Sequence, residues 1–187
     1  MMSGWIQTYT GKKIYPLRAR VEDVDIRDIA HALALKCRFN GHCREFYSVA
    51  EHALRVSKLL AAQSPKLALW GLMHDAAEAY LPDLGGPIKK AFHIHHVDET
   101  TESFDAAEDR LLATIAEALG FARIDYEALR EADLVLLVTE ARDLLGTPPE
   151  SWDLKERPLV AKIVPMTSAE AESAFLAQFH LLMNSAI

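Results

Sequence analysis

Polar side chains at positions where a helix expects apolar ones are the first sign of chemistry in this chain. His52 shares a helical face with Val49 and Val56, three residues before and four after it, so its imidazole points inward with core side chains. Asp133 is the sharper anomaly. Leu129, Leu136 and Leu137 surround it at minus four, plus three and plus four, and a carboxylate buried without a partner is costly. Something positive should meet it. The segment LMHDAAEAYLPD places His74 beside Asp75 at the end of an apolar stretch, with Glu78 one helical turn on. Neutral imidazole and carboxylate oxygen together are the ligand set of a divalent cation such as Mn, Fe, Co, Ni or Zn. A cluster of two histidines and two aspartates leaves positions for water and for a phosphate oxygen. Its chemistry would be polarisation of a phosphorus centre and supply of a nucleophile near neutral pH. Taken singly, each residue has a plain structural alternative, because a lone histidine in an apolar helix is usually a hydrogen-bonded core residue. The joint pattern is what points to a metal.

Caps and periodicity show which elements must carry these residues. The opening WIQTYTGKKIYPL alternates around a polar TGKK turn, which predicts a short hairpin near Ile6 to Tyr15. Helices follow. Asp25 can cap one through Lys36, and Ser48 with Glu51 forms a capping box for another through Ala62. Ser64 and Pro65 suit the cap and first position of the next, which runs towards Tyr80 and stops before Pro82; Gly85, Gly86 and Pro87 then break the chain. Residues 99–119 form a long amphipathic helix closed by Gly120, and 125–145 form another closed by Gly146. The LVLLV run at 134–138 has helix formers on both sides and belongs to that helix rather than to a buried strand. Pro148, Pro149, Pro158 and Pro165 mark an irregular crossing segment. Thr167 and Glu170 box the last helix, with Phe175, Phe179, Leu182 and Met183 on its inner face. The expected fold is all-α: one domain over residues 1–187, a bundle of six to seven helices with a short N-terminal β-hairpin.

Composition narrows the function classes. The chain has 187 residues, half of them apolar and a quarter charged, as in an ordinary globular domain. Its longest apolar stretch, Leu67 to Met73, is far too short to span a membrane, and Gln7, Thr8, Thr10, Lys12 and Lys13 stand where a secretion signal needs apolar residues. The expected location is the cytoplasm, with no membrane partner. A net charge of −7 without a run of Lys or Arg argues against a nucleic-acid polymer as partner. Cys37 and Cys43 are too few for a disulfide framework and too irregularly spaced for a zinc site. His93, His95 and His96 lie in a polar stretch and read as solvated surface, while Glu140 and Asp143 read as structural or salt-bridged.

An inward His52, the His74-Asp75 pair and the late Asp133 in EADLVLL resemble the HD-domain superfamily of metal-dependent phosphohydrolases, whose signature is H…HD…D. The strings SVAEHALRVS and HDAAEAYLPDLGGPIKK are similar to the small bacterial and phage branch related to the YfbR 5′-deoxynucleotidases, over a motif-bearing core of about residues 30–145. The resemblance implies one divalent metal ion (Mn, Co, Fe, Ni, Zn or Mg) on His52, His74, Asp75 and Asp133. It gives Glu78 the handling of the nucleophilic water and Asp83 a second acid near the leaving group. Arg38 and Phe39 fall where that branch has an Arg-aromatic pair for phosphate and nucleoside, with Phe39 in place of a Trp and so without an indole donor. His42, in the following loop, and Lys89 could also reach a substrate phosphate. The implied activity is release of phosphate from small phosphorylated nucleosides, (deoxy)nucleoside 5′-monophosphates first. Alternatives are a deoxynucleoside triphosphate triphosphohydrolase and a nucleotide-binding HD module without turnover, although the latter has no need of Glu78 beside a metal. Relatives in that branch commonly form homodimers.

Overall fold

The computed structural model describes residues 4–96 and 99–186. Among these lie seven α-helices: α1 (Ile26–Leu35), α2 (Val49–Leu60), α3 (Pro65–Met73), the short α4 (Gly86–Lys89), α5 (Phe104–Leu119), α6 (Tyr126–Leu144) and α7 (Ser168–Ala186). Strands are confined to two antiparallel pairs, β1 (Ile6–Gln7) with β2 (Lys13–Ile14), and β3 (His93–His95) with β4 (Thr101–Ser103). The chain therefore adopts the expected all-α, single-domain architecture with its N-terminal hairpin. Among the described residues no helix is long and apolar enough to cross a membrane.

Helix starts follow the cap chemistry. Asp25, Ser48, Ser64, Ser103 and Asp125 each accept a backbone N–H from the first turn of the helix they precede. At α7 the box is reciprocal: Thr167 Oγ1 accepts from Glu170 N at 3.3 Å and Glu170 accepts from Thr167 N at 2.8 Å. At α2 only half of it forms. Glu51 turns its carboxylate away to Arg55 (2.6 Å) and to the N–H of Met166 (2.8 Å), tying α2 to the segment before α7.

The bundle is organised around α2, which packs on α1, α3, α6 and α7 and buries Val49, Val56 and Leu60 together with Glu51, His52 and Ser57. Gly71 sets how closely α3 can approach. A Cβ there would lie 2.7 Å from Leu60 Cδ1 and 3.3 Å from the Ser57 backbone, so only glycine permits this α2–α3 spacing without a shift.

Two element boundaries differ from expectation. The helix predicted to run towards Tyr80 ends at Met73, and a 3₁₀ turn over Ala76–Ala79 follows. His74 Nδ1 lies 2.8 Å from the Gly71 carbonyl, and the buried part of Lys36 brings its ammonium to the carbonyls of Glu78 and Leu81. These partners hold the turn in a path that local propensity alone would have continued as α-helix. The helix predicted from residue 99 begins instead at Phe104. Residues 101–103 are committed to pairing with 93–95, and Ser103 caps the helix through Ala106 N. His93 and His95 are exposed in this hairpin, while His96 pairs with Glu102 at 2.7 Å.

Candidate metal centre

The mid-bundle position of α2 and the close approach of α3 bring His52 and His74 together, with ring centroids 5.3 Å apart. His52, His74 and Asp75 each offer a ligand atom, and these atoms all lie within 4.8 Å of one another, so the group could hold a metal ion. Asp133 arrives from α6: its Oδ1 is 3.1 Å from His52 Nε2, and Asp75 Oδ2 is 3.7 Å from the same nitrogen. Asp75 Oδ1 is 3.3 Å from His74 Nε2. Three of the four predicted ligands thus form one group, and Asp133 stands beside it against His52 without joining the mutual 4.8 Å set.

Both imidazoles are oriented from behind. The Gly71 carbonyl can only accept, so His74 Nδ1 carries the proton and Nε2 presents a lone pair. His52 Nδ1 lies 2.7 Å from Oε1 of Glu140, a fully buried carboxylate, which fixes that ring in the same tautomer. His52 Nε2 is itself buried without a hydrogen bond. These are the tautomers a cation requires of histidine ligands, so the residues present fit such a group.

The carboxylates around His52 favour positive charge there, whether a proton or a cation supplies it. Burial and the Arg38 charge work to lower the His52 pKa, but Glu140 and Asp133, one at each ring nitrogen, overcome them and push it up to about 9. Burial likewise opposes ionisation of Asp133, yet the His52 imidazole, 3.1 Å away, holds that carboxyl well below its ordinary range. At Glu78 burial dominates: with the like charges of Asp75 and Asp83 it pushes the carboxyl up to about 9. Glu78 Oε2 is buried and has no hydrogen-bond partner.

The cluster opens into a cleft of about 640 Å³ bordered by Arg38, Phe39, Asp75, Glu78, Asp83 and Asp133, with Lys89 on its rim. Arg38 enters from a loop pinned at both ends, by Arg38 N to Tyr47 O (2.9 Å) and Arg44 N to Leu144 O (2.9 Å). Phe39 and Asn40 take left-handed backbone angles, φ 54° and 51°, which fold the loop sharply and set the Phe39 ring 5.4 Å from the Arg38 guanidinium. That guanidinium spans the site, with Nη2 3.2 Å from Glu140 Oε2 and Nη1 3.6 Å from Asp75 Oδ2. Lys89 is engaged by Glu108 and lies 3.6 Å from Asp105.

His42 does not join this group. It is exposed, caps the end of the loop turn through its N–H to Phe39 O (3.0 Å), and is absent from the lining of the cleft. Asp143 is bound to Arg142 at 2.7 Å, and the Cys43 thiol, near the Arg38 carbonyl, is pushed up to about 11 by burial. Glu140, read from its sequence position as structural or salt-bridged, is ion-paired and joins His52 to Arg38. Two residues escaped the sequence reading. Lys36 holds the Glu78 turn from the end of α1, and nothing in its spacing announces this. Trp152, from the proline-rich crossing segment, lines the cleft and is visible only once the chain is folded.

No protein-family model matches the chain. It is 32% identical over 179 residues to the Escherichia coli protein named Uncharacterized protein YfdR, with 94% of each chain covered. It is 30% identical over 203 residues to Uncharacterized protein RCAP_rcc00048 of Rhodobacter capsulatus, covering 99% of this chain and 98% of the other. Similarity of this extent, running nearly end to end and so over every element that builds the site, makes the chain a member of the family of YfdR and RCAP_rcc00048.

Proposed function

We propose that the chain is a divalent-metal-dependent phosphohydrolase acting on small phosphorylated nucleosides, (deoxy)nucleoside 5′-monophosphates in the first place. The observation that carries this reading is the pair of imidazoles whose Nδ1 atoms are both engaged from behind, turning Nε2 towards Asp75 and Asp133 beside a guanidinium. His52, His74, Asp75 and Asp133 would hold the cation, which supplies Lewis-acid polarisation of a phosphoryl oxygen and eases deprotonation of water. The HD-domain resemblance of the same residues supports the assignment.

The chain's own groups have separable tasks. Arg38 presents a planar fork suited to two phosphate oxygens, and Glu140 and Asp75 keep it charged and aimed into the cleft. Glu78 is buried one turn beyond the His74-Asp75 pair with a free carboxylate oxygen, in position to take a proton from attacking water once a cation has restored its charge. Asp83, half-buried in the cleft lining beyond Pro82, would serve the departing oxygen. The deciding assay is phosphate release from a panel of nucleoside mono-, di- and triphosphates, with Mn or Co added to chelator-treated protein. Metal-dependent release from 5′-monophosphates, lost together with metal binding in Asp133→Ala, is expected. Absence of release from every nucleotide under all metals tested would overturn the proposal, and release from triphosphates alone would replace the substrate.

A further inference from the structure

A second cavity of about 430 Å³ adjoins the cleft, and Trp152 lines both. The two spaces lie along α6: Asp133 and Leu137 border the cleft, Ala141, four residues further on the same face, borders the second cavity, and Leu145 joins it just past the helix end. At 1.5 Å per residue the step from Asp133 to Ala141 is about 12 Å along the helix, comparable with one extended nucleotide. The cavity floor is apolar, from Val138, Ala141, Leu145, Pro148 and Leu154. Polar groups sit among them: Thr147, Ser151, Asp153, Arg142 and Arg44. Arg142 is already committed to Asp143 and to the carbonyls of Leu159 and Ala161, whereas the Arg44 guanidinium has no protein partner among the described residues. Trp152 is 44% exposed, so a large aromatic surface faces these two spaces rather than the core.

An apolar floor, an accessible indole and a few donors at the rim suit a planar heteroaromatic ring. We infer that this cavity is the base subsite of the site: Trp152 stacks on the purine or pyrimidine of a nucleotide whose phosphate lies at Arg38, and Arg44 faces acceptors on the ring edge. The inference rests on the phosphohydrolase reading of the adjoining cleft and adds to it the part of the substrate that the metal residues do not touch. Phe39, close under Arg38, belongs to the phosphate end, so the stacking surface comes from the crossing segment instead.

The test compares substrates with and without a base. In metal-loaded protein, kcat/KM is measured for deoxyadenosine 5′-monophosphate and for 2-deoxyribose 5-phosphate, in wild type, Trp152→Ala and Trp152→Phe. Loss of base stacking should lower the nucleotide-to-sugar-phosphate ratio about tenfold to a hundredfold in Trp152→Ala, with Trp152→Phe restoring most of it. Binding is read separately from tryptophan fluorescence, the signal of Trp152 being the part missing from Trp152→Phe. Deoxyadenosine 5′-monophosphate should quench that part and 2-deoxyribose 5-phosphate should not. A ratio unchanged in Trp152→Ala, or equal quenching by the two compounds, would overturn the base subsite while leaving the phosphohydrolase reading intact. Selective quenching in a protein that hydrolyses neither compound would sustain the subsite and overturn the reading it was built on.

Discussion

Replacing Glu140 by Gln tests whether the centre depends on a residue that touches neither metal nor substrate. Glu140 is fully buried and accepts from His52 Nδ1 at 2.7 Å, and its other oxygen lies 3.2 Å from Arg38 Nη2. Burial opposes its ionisation, but the charges of His52 and Arg38 prevail and hold its carboxyl below the ordinary range. Glutamine keeps the volume and can still accept from His52, so tautomer and packing survive. The negative charge does not, and the amide N–H₂ would face the Arg38 guanidinium donor to donor. Removing one partner of a buried ion pair costs about 3–5 kcal/mol, and the lower figure applies because Asp75 remains beside Arg38 at 3.6 Å. Loss of an orienting carboxylate behind a ligand histidine should weaken metal affinity about 10–100-fold, or about 1.4–2.8 kcal/mol. Manganese affinity by competition with a chelator, and stability by denaturant unfolding of the metal-free protein, would be measured on one preparation. Metal affinity within twofold of wild type would refute the reasoning, whatever happened to stability, because it would mean that Glu140 only fills and neutralises the interior.

Arg38→Ala should lower kcat/KM for nucleotides by more than tenfold, about 1.4 kcal/mol or more, and Arg38→Lys should recover little of it, since an ammonium cannot copy the planar fork; near wild-type kinetics in Arg38→Ala would move the phosphate contact elsewhere in the cleft. Glu78→Gln should leave metal content and nucleotide binding unchanged while slowing turnover by about 10²–10⁴-fold, and unchanged kcat or parallel loss of metal would remove Glu78 from proton transfer. The metal-free protein should become less stable as pH rises. His52 is raised from 6.5 to about 9 and Glu78 from 4.5 to about 9, so the folded state holds more protons than the unfolded state between those limits and loses that advantage as pH climbs through 9. The midpoint of thermal unfolding in chelator should therefore fall between pH 6.5 and 9, with a shallower slope in Glu78→Gln; a flat or rising midpoint would contradict the assigned shifts.

The amino-acid sequence by itself determined most of the helices, because their starts are written in residues that act locally. Asp25, Ser48, Ser64, Asp125 and Thr167 cap the helices that follow them, and the apolar spacing around His52 turns its side chain into the bundle, whereas Asp133, expected to be buried, keeps its side chain 40% exposed at the cleft. The candidate ligands were legible for the same reason: a polar group on an apolar face stands out before its partner is known. What the sequence left open is where long-range partners act. The end of α3 at Met73 depends on Lys36 reaching the carbonyls of Glu78 and Leu81, more than forty residues on, and the late start of α5 depends on 101–103 finding 93–95. Glu140 and Trp152 acquire their places only when α6 lies against α2 and the crossing segment returns to the cleft. A cap needs its neighbours within one turn, so composition along the chain records it. A buried carboxylate behind an imidazole, or an indole over a cleft, is defined by distances between segments remote in sequence, and tertiary packing alone sets those distances.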